Sequence, residues 1–112
     1  MKQNVSLWNP SPPQLRDANL TSFIQKVNSQ HGTTLTNFKS LHQWSVENLE
    51  SFWCSVWDTC DLIASETGKR ELHSPDGMFK NKFFEDAHLN YAENLLRPRP
   101  LEAQAIVFWG ED

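Results

Sequence analysis

Apolar residues recur at helical spacing in three stretches of the first 64 positions. Leu20, Phe23, Ile24 and Val27 follow at i, i+3, i+4 and i+7, one face of a helix. Asn19 stands before them as a candidate N-cap, and Gly32 after them as a stop. Phe38, Leu41 and Trp44 repeat the spacing and predict a second short helix, beginning near Thr36 or Asn37, with all three facing one way. The third stretch, Val46 to Ala64, is the widest. Turning about 100° per residue places Val46, Leu49, Phe52, Trp53, Val56, Trp57, Cys60, Ile63 and Ala64 on an arc of roughly 140°. Ser45 fits as its N-cap, Glu47 falls in the first turn where the helix dipole favours negative charge, and Gly68 closes the segment. Glu50, Ser51, Cys54, Ser55, Asp58 and Asp61 lie outside the stripe. So aromatic a face predicts a helix docked on a large surface.

The flanks are less regular. Pro10, Pro12 and Pro13 make residues 1–19 an extended arm with one helical turn after Ser11, its apolar pair Leu7 and Trp8 serving as an anchor. Residues 66–82, holding Gly68, Pro75 and Gly77, read as a loop, after which Phe83-Phe84 re-enters a core. Asn90 and Glu93 have the spacing of a capping box and introduce a short helix through Leu95 and Leu96. Arg97-Pro98-Arg99-Pro100 cannot continue it, so 97–103 reads as a stiff linker. Ala105-Ile106-Val107-Phe108-Trp109 is rich in strand formers, with turn residues after it. A lone strand is an unstable ending, so 104–112 is expected to be the first strand of a domain lying beyond the chain.

The expected fold class is therefore mainly α: several short helices, one longer aromatic-striped helix, and a single C-terminal β-strand. Residues 1–96 form a helical unit, 97–103 the linker and 104–112 the strand.

Composition sharpens this picture. A chain of 112 residues suffices for one domain, and although 38% of residues are hydrophobic, five Trp and seven Phe supply large apolar area and argue against disorder. The mean hydropathy of -0.59 puts much of the chain in water. A net charge of -4 lacks the basic stripe that a nucleic-acid partner requires. Two cysteines are too few for a disulfide framework, the N-terminus has no apolar signal region, and no run approaches the roughly 18 apolar residues of a membrane span. A soluble, cytosolic protein is expected.

The search for chemistry returns structural explanations. Cys54 and Cys60 point different ways on one helix, and neither has a histidine at ligand spacing. Cys60 is best read as a small core residue. His31, His42, His73 and His88 are scattered, which favours surface or capping roles. Asp58 with Asp61, and Glu85 with Asp86, read as solvated charge. Ser45 and Asn90 are explained as helix starts. Gly32, Gly68, Gly77 and Gly110 are too dispersed for a phosphate loop, and the Trp44, Phe52, Trp53, Trp57 run lacks the cations needed to stack nucleic-acid bases. No catalytic, cofactor-binding or metal residue is expected in this chain.

Two stretches go further. Trp44-Ser45-Val46-Glu47 leading to Phe52-Trp53 and Val56-Trp57 resembles an N-terminal signature of acetoacetyl-CoA synthetases, the acetoacetate–CoA ligases. Phe83-Phe84 followed by Leu89-Asn90-Tyr91-Ala92-Glu93-Asn94-Leu95-Leu96 resembles a second. Leu7-Trp8-Asn9-Pro10-Ser11 at the start, and Ala105-Ile106-Val107-Phe108 with Glu111-Asp112 at the end, fall in the same family order. Acetyl-CoA synthetases share a weaker version of the middle part.

The resemblance implies a parent ligase that uses ATP, Mg and CoA and proceeds through an acyl-adenylate. This chain would be its N-terminal helical cap, packed on the parent's own adenylation domain and without catalytic residues. Residues 66–82 carry no strong family pattern. Lys69, Arg70, Lys80 and Lys82 cluster there, and contact with a CoA phosphate is an expectation with no motif behind it. The competing reading is a stand-alone helical interaction module whose aromatic stripe binds a partner protein or a second copy of itself; on either reading the isolated segment exposes apolar surface, which a homodimer by strand exchange through residues 104–109 would relieve.

Overall fold

The structure, a computed structural model, describes residues 7–69, 72–73 and 77–111. The single turn expected after Ser11 is α1 (Pro12–Arg16), with proline in its first turn and the Ser11 N–H and hydroxyl both donating to the Gln14 side-chain oxygen. In the arm, Leu7 is 102% and Trp8 70% exposed, so neither belongs to the core. Helix α2 (Asn19–His31) starts one residue earlier than expected. Its N-cap is Ala18, whose carbonyl accepts from the Thr21 and Ser22 N–H groups, so Asn19 is already helical. Gly32 ends α2 at φ 64, a left-handed position that glycine adopts without steric cost.

Helix α3 (Phe38–Glu47) begins at the predicted place. Asn37 caps it by accepting from the Ser40 N–H at 3.0 Å, and the Ser40 hydroxyl oxygen accepts the Asn37 N–H in return. Leu41 is buried, but Phe38 is 64% exposed and lies beside His42, so the predicted three-residue face is broken at its first member.

The predicted 46–64 helix is a correction. It is interrupted at Asn48, whose φ of -129° and ψ of 54° are not helical. The Asn48 N–H and side-chain amide both donate to the Trp44 carbonyl, which ends α3, while the Asn48 carbonyl accepts from the Phe52 N–H and opens α4 (Leu49–Thr59). Ser45 is therefore no N-cap; it lies inside α3 and donates to the His42 carbonyl. Glu47 closes α3 instead of opening a helix. At the far end Asp61 turns left-handed at φ 51, and the Leu62 N–H reaches the Trp57 carbonyl at 3.4 Å, the bond of a Schellman stop. Ile63 and Ala64 are thereby off the helix, and Cys60 is its exposed C-cap instead of a core residue.

Ile24, Val27 and Leu41 form the core, with Phe23, Leu35 and Trp44 packed against it. Asn28 holds the α2–α3 loop by donating to the Leu35 carbonyl and accepting its N–H. Ser55, expected on the polar side of α4, is 1% exposed. It is satisfied on both sides: its hydroxyl donates to the Ser51 carbonyl at 2.9 Å, and with that proton committed, His31 Nε2, 2.9 Å from the same oxygen, has to be the donor there.

Residues 66–82, read as loop, contain a short antiparallel ladder. Strand β1 (Leu72–His73) pairs with β2 (Lys82–Phe83) in the register Leu72 to Phe83, and a 3₁₀ turn (Met78–Lys80) precedes β2. Helix α5 (Tyr91–Leu95) is capped by the Asn90 side chain, which accepts from the Glu93 N–H. The predicted strand at 104–109 is not formed. A strand needs an edge to pair with; 104–109 is not paired with any described residue, and Ile106, Phe108 and Trp109 stay 87–89% exposed.

The helical fold class holds, but the chain stays open. Its accessible surface of 10017 Å² compares with about 6,300 Å² for a compact monomer of 13.0 kDa. Its radius of gyration of 18.9 Å compares with about 13 Å for a compact domain of this length.

Candidate docking surface

The aromatic side of α4 is half covered by the chain that follows it. Trp57, 7% exposed, packs against Phe84 with ring centroids 4.7 Å apart. Trp53 meets Phe83 edge-on at 5.6 Å and Phe52 at 5.4 Å, and Phe52 in turn meets Phe23 of α2 at 5.9 Å. Phe83-Phe84, expected to re-enter a core, thus returns to the face of α4, outside the Ile24–Val27–Leu41 core, and Phe83 stays 39% exposed. Phe84 sits at φ 48, an uncommon conformation for a bulky residue, and the β2 chain turns sharply there. Trp53, Val56, Trp57, Leu62, Phe83 and Phe84 line a cleft of about 270 Å³. All six are apolar, and the rim formed by Trp53 and Phe83 remains 39–40% exposed.

Backbone clasps hold this lid in place. Asn94 of α5 accepts the Ile63 N–H and donates to the Ile63 carbonyl, both at 2.8 Å. Two residues on, the Ser65 N–H donates to the His88 carbonyl, and the Glu66 carbonyl accepts the His88 N–H. Gly68 continues the same close approach. A Cβ at this residue would stand 2.7 Å from the Asp86 carbonyl carbon, so its role is contact with the 84–88 turn and not, as expected, a stop.

The side chains singled out for chemistry are dispersed among these supports. His31 lies against Trp44 at 5.1 Å as well as Ser55, His42 against Phe38, and His88 serves through its backbone. Cys54, half-buried, and Cys60, exposed, are not joined in a disulfide. The Asp58 carbonyl accepts from Lys26 of α2, while Asp61 forms the helix stop. Glu85 pairs with Lys82, whose hydrogen bond holds its carboxyl below the usual glutamate range; desolvation opposes this, and the charges of Lys82 and His73 add to the lowering. Of the four clustered cations, Arg70 lies outside the described residues and Lys82 is engaged by Glu85. Among the described residues no group of three or more His, Cys, Asp or Glu is arranged to hold a metal ion. No helix among them is long and apolar enough to cross a membrane. What the surface can do chemically is bury apolar area.

The described residues make a small, open helical unit that presents an aromatic cleft. Residues 38–95, from the first residue of α3 to the last of α5, match the family model of the acetyl-coenzyme A synthetase N-terminus, and the chain belongs to that family. It is 34% identical over 112 residues to acetoacetyl-coenzyme A synthetase of Rhizobium meliloti (strain 1021), covering 100% of this chain and 17% of that protein. It is 34% identical to malonamoyl-CoA synthetase of Penicillium aethiopicum, covering 87% of this chain and 13% of that protein. Acetoacetyl-CoA synthetase of Xenopus tropicalis is 33% identical, over 89% of this chain and 15% of that protein. The chain therefore spans about one sixth of the length of these relatives. No solved structure matches it.

Proposed function

We propose that the chain is the N-terminal segment of an acetoacetate–CoA ligase, and that it acts there as a structural cap whose aromatic cleft seats on the adenylation domain. The parent joins acetoacetate to ATP, releases pyrophosphate, and passes the acyl group from the adenylate to the CoA thiol. ATP, Mg and CoA belong to that larger protein, and none of them is assigned to a residue of this chain. The observation that carries the reading is the open Trp53–Phe83 rim, which lies within the family-matched segment of a chain similar to acetoacetyl-CoA synthetases along its whole length. A contiguous apolar face with nothing over it marks a surface that another polypeptide covers.

The test is to read the gene beyond residue 112, purify the whole product and supply acetoacetate, ATP, Mg and CoA. Thioester and pyrophosphate formed from acetoacetate in preference to acetate support the reading. A product without ligase activity toward any short acid overturns it. The stand-alone module draws on the same Trp53–Phe83 rim to bind a partner protein or a second copy, and a monodisperse monomer at high concentration in light scattering counts against the second copy.

A further inference from the structure

Arg97 stands where α5 gives way to Pro98-Arg99-Pro100, and its half-buried side chain turns back toward the helices. Its Nε–H donates to the Asn94 carbonyl at 3.0 Å, Nη2 to the Asn94 side-chain oxygen at 3.3 Å, and Nη1 to the Cys60 carbonyl at 3.4 Å. Cys60 is the C-cap of α4 and Asn94 lies in the last turn of α5. One guanidinium therefore closes the C-terminal ends of two helices, where carbonyls collect partial negative charge. Its planar fork serves several acceptors at fixed angles, which a single ammonium cannot do.

Past Arg97 the chain is stiff. Pro98 and Pro100 fix φ and hold the residues before them extended, and the Ala103 N–H closes a turn on the Pro100 carbonyl at 2.9 Å. Proline-rich segments extend by about 3.1 Å per residue and persist over several residues. Such a rod carries the orientation of its base to its tip, so whatever holds the base decides where the tip points. We infer that Arg97 is a positioning residue, a latch that fixes the direction in which the chain leaves the helical unit. The inference stands without the ligase reading. Joined to that reading, it makes Arg97 the residue that sets how the cap meets its adenylation domain.

The test uses this chain alone. Spin labels are placed on cysteines introduced at Lys39, exposed on α3, and Leu101, 99% exposed just past the rod, in a Cys54→Ser/Cys60→Ser background. Double electron–electron resonance gives the distance distribution, and amide exchange at Ile63 reports whether the Asn94 clasp survives. The parent is expected to show one narrow distribution. Arg97→Ala and Arg97→Lys should broaden it about twofold or more, as the rod base is freed, with Ile63 still protected. Equal widths in parent and variants, or a broad distribution in the parent itself, overturn the latch. So does loss of Ile63 protection in Arg97→Ala, which would make Arg97 a support of α5 and nothing more. Should Arg97→Ala fail to fold, Arg97→Lys carries the comparison. Failure here leaves the ligase reading untouched, because no step of the test reads activity.

Discussion

The Asn94 carboxamide and the Ile63 backbone pair as two strands would, N–H to oxygen in both directions at 2.8 Å, although Asn94 sits on a helix. This one side chain ties α5 to the chain leaving α4, and through it the Phe83-Phe84 lid to the Trp53–Trp57 face. Asn94→Ala leaves a half-buried N–H and C=O without partners, a loss of about 2 kcal/mol. Asn94→Asp can still accept from the Ile63 N–H and from Arg97 but cannot donate to the Ile63 carbonyl, so it should cost less than Asn94→Ala. Urea unfolding followed by tryptophan fluorescence measures both. Midpoints equal to that of the parent would show that the clasp contributes nothing.

Gly68 and Gly32 supply a controlled comparison, because both are left-handed at nearly the same φ, 63 and 64. Around Gly32 nothing lies within 4 Å of an added Cβ, whereas at Gly68 it meets the Asp86 carbonyl carbon at 2.7 Å. Gly32→Ala should cost about 1 kcal/mol, the conformational penalty alone. Gly68→Ala adds a backbone clash and should cost about 2 kcal/mol more. Equal shifts of the two unfolding midpoints would remove the close approach as the reason for glycine at 68.

Local signals in the sequence carried the helix starts and stops that depend on one side chain. Asn37, Asn90, Gly32 and the Ser11 turn all act where the chain chemistry places them. Asn48 was hidden because the apolar period runs unbroken across it, and periodicity does not register a single residue that leaves the helix by bonding back to Trp44. Ser55 was misplaced for a related reason. An angular plot assumes one buried side, but α4 is wedged between α2 and the 83–84 lid, so a serine facing α2 is more enclosed than Trp53. The clasps of Asn94 on Ile63 and of Gly68 on Asp86 join residues 31 and 18 positions apart, a separation at which no spacing rule operates. The aromatic face itself was legible, since its residues share one helix.

Glu85 and Lys82 give the fold a modest dependence on acid. The Lys82 hydrogen bond, with its charge behind it, lowers the Glu85 carboxyl below its ordinary value. A carboxyl that ionises more readily when folded contributes stability above its unfolded pKa, and that stability is lost as pH falls through the folded value. Stability should therefore decline on acidification by a small amount that high salt screens and that Glu85→Gln abolishes. Unfolding midpoints of parent and variant at neutral pH and in acid, at two salt concentrations, decide it. An identical acid dependence in Glu85→Gln would assign the effect to other carboxylates.

Trp57 and Trp53 separate folding from docking. Trp57 is 7% exposed and stacked on Phe84, so Trp57→Ala removes a buried indole and should cost about 3–5 kcal/mol. In a core built on Ile24, Val27 and Leu41, that is enough to unfold much of the chain. Trp53 is 40% exposed on the cleft rim, and Trp53→Ser should shift the midpoint of this chain far less. In the longer ligase proposed above, the order of effects should change. If the cleft is covered by the adenylation domain, Trp53→Ser opens an apolar interface at its centre, and the whole enzyme should lose thermal stability and activity together while the isolated chain is little affected. Melting curves of both variants in both lengths of protein measure this. A Trp53→Ser ligase as stable and active as its parent would leave the cleft without the occupant proposed for it, and attention would pass to the homodimer.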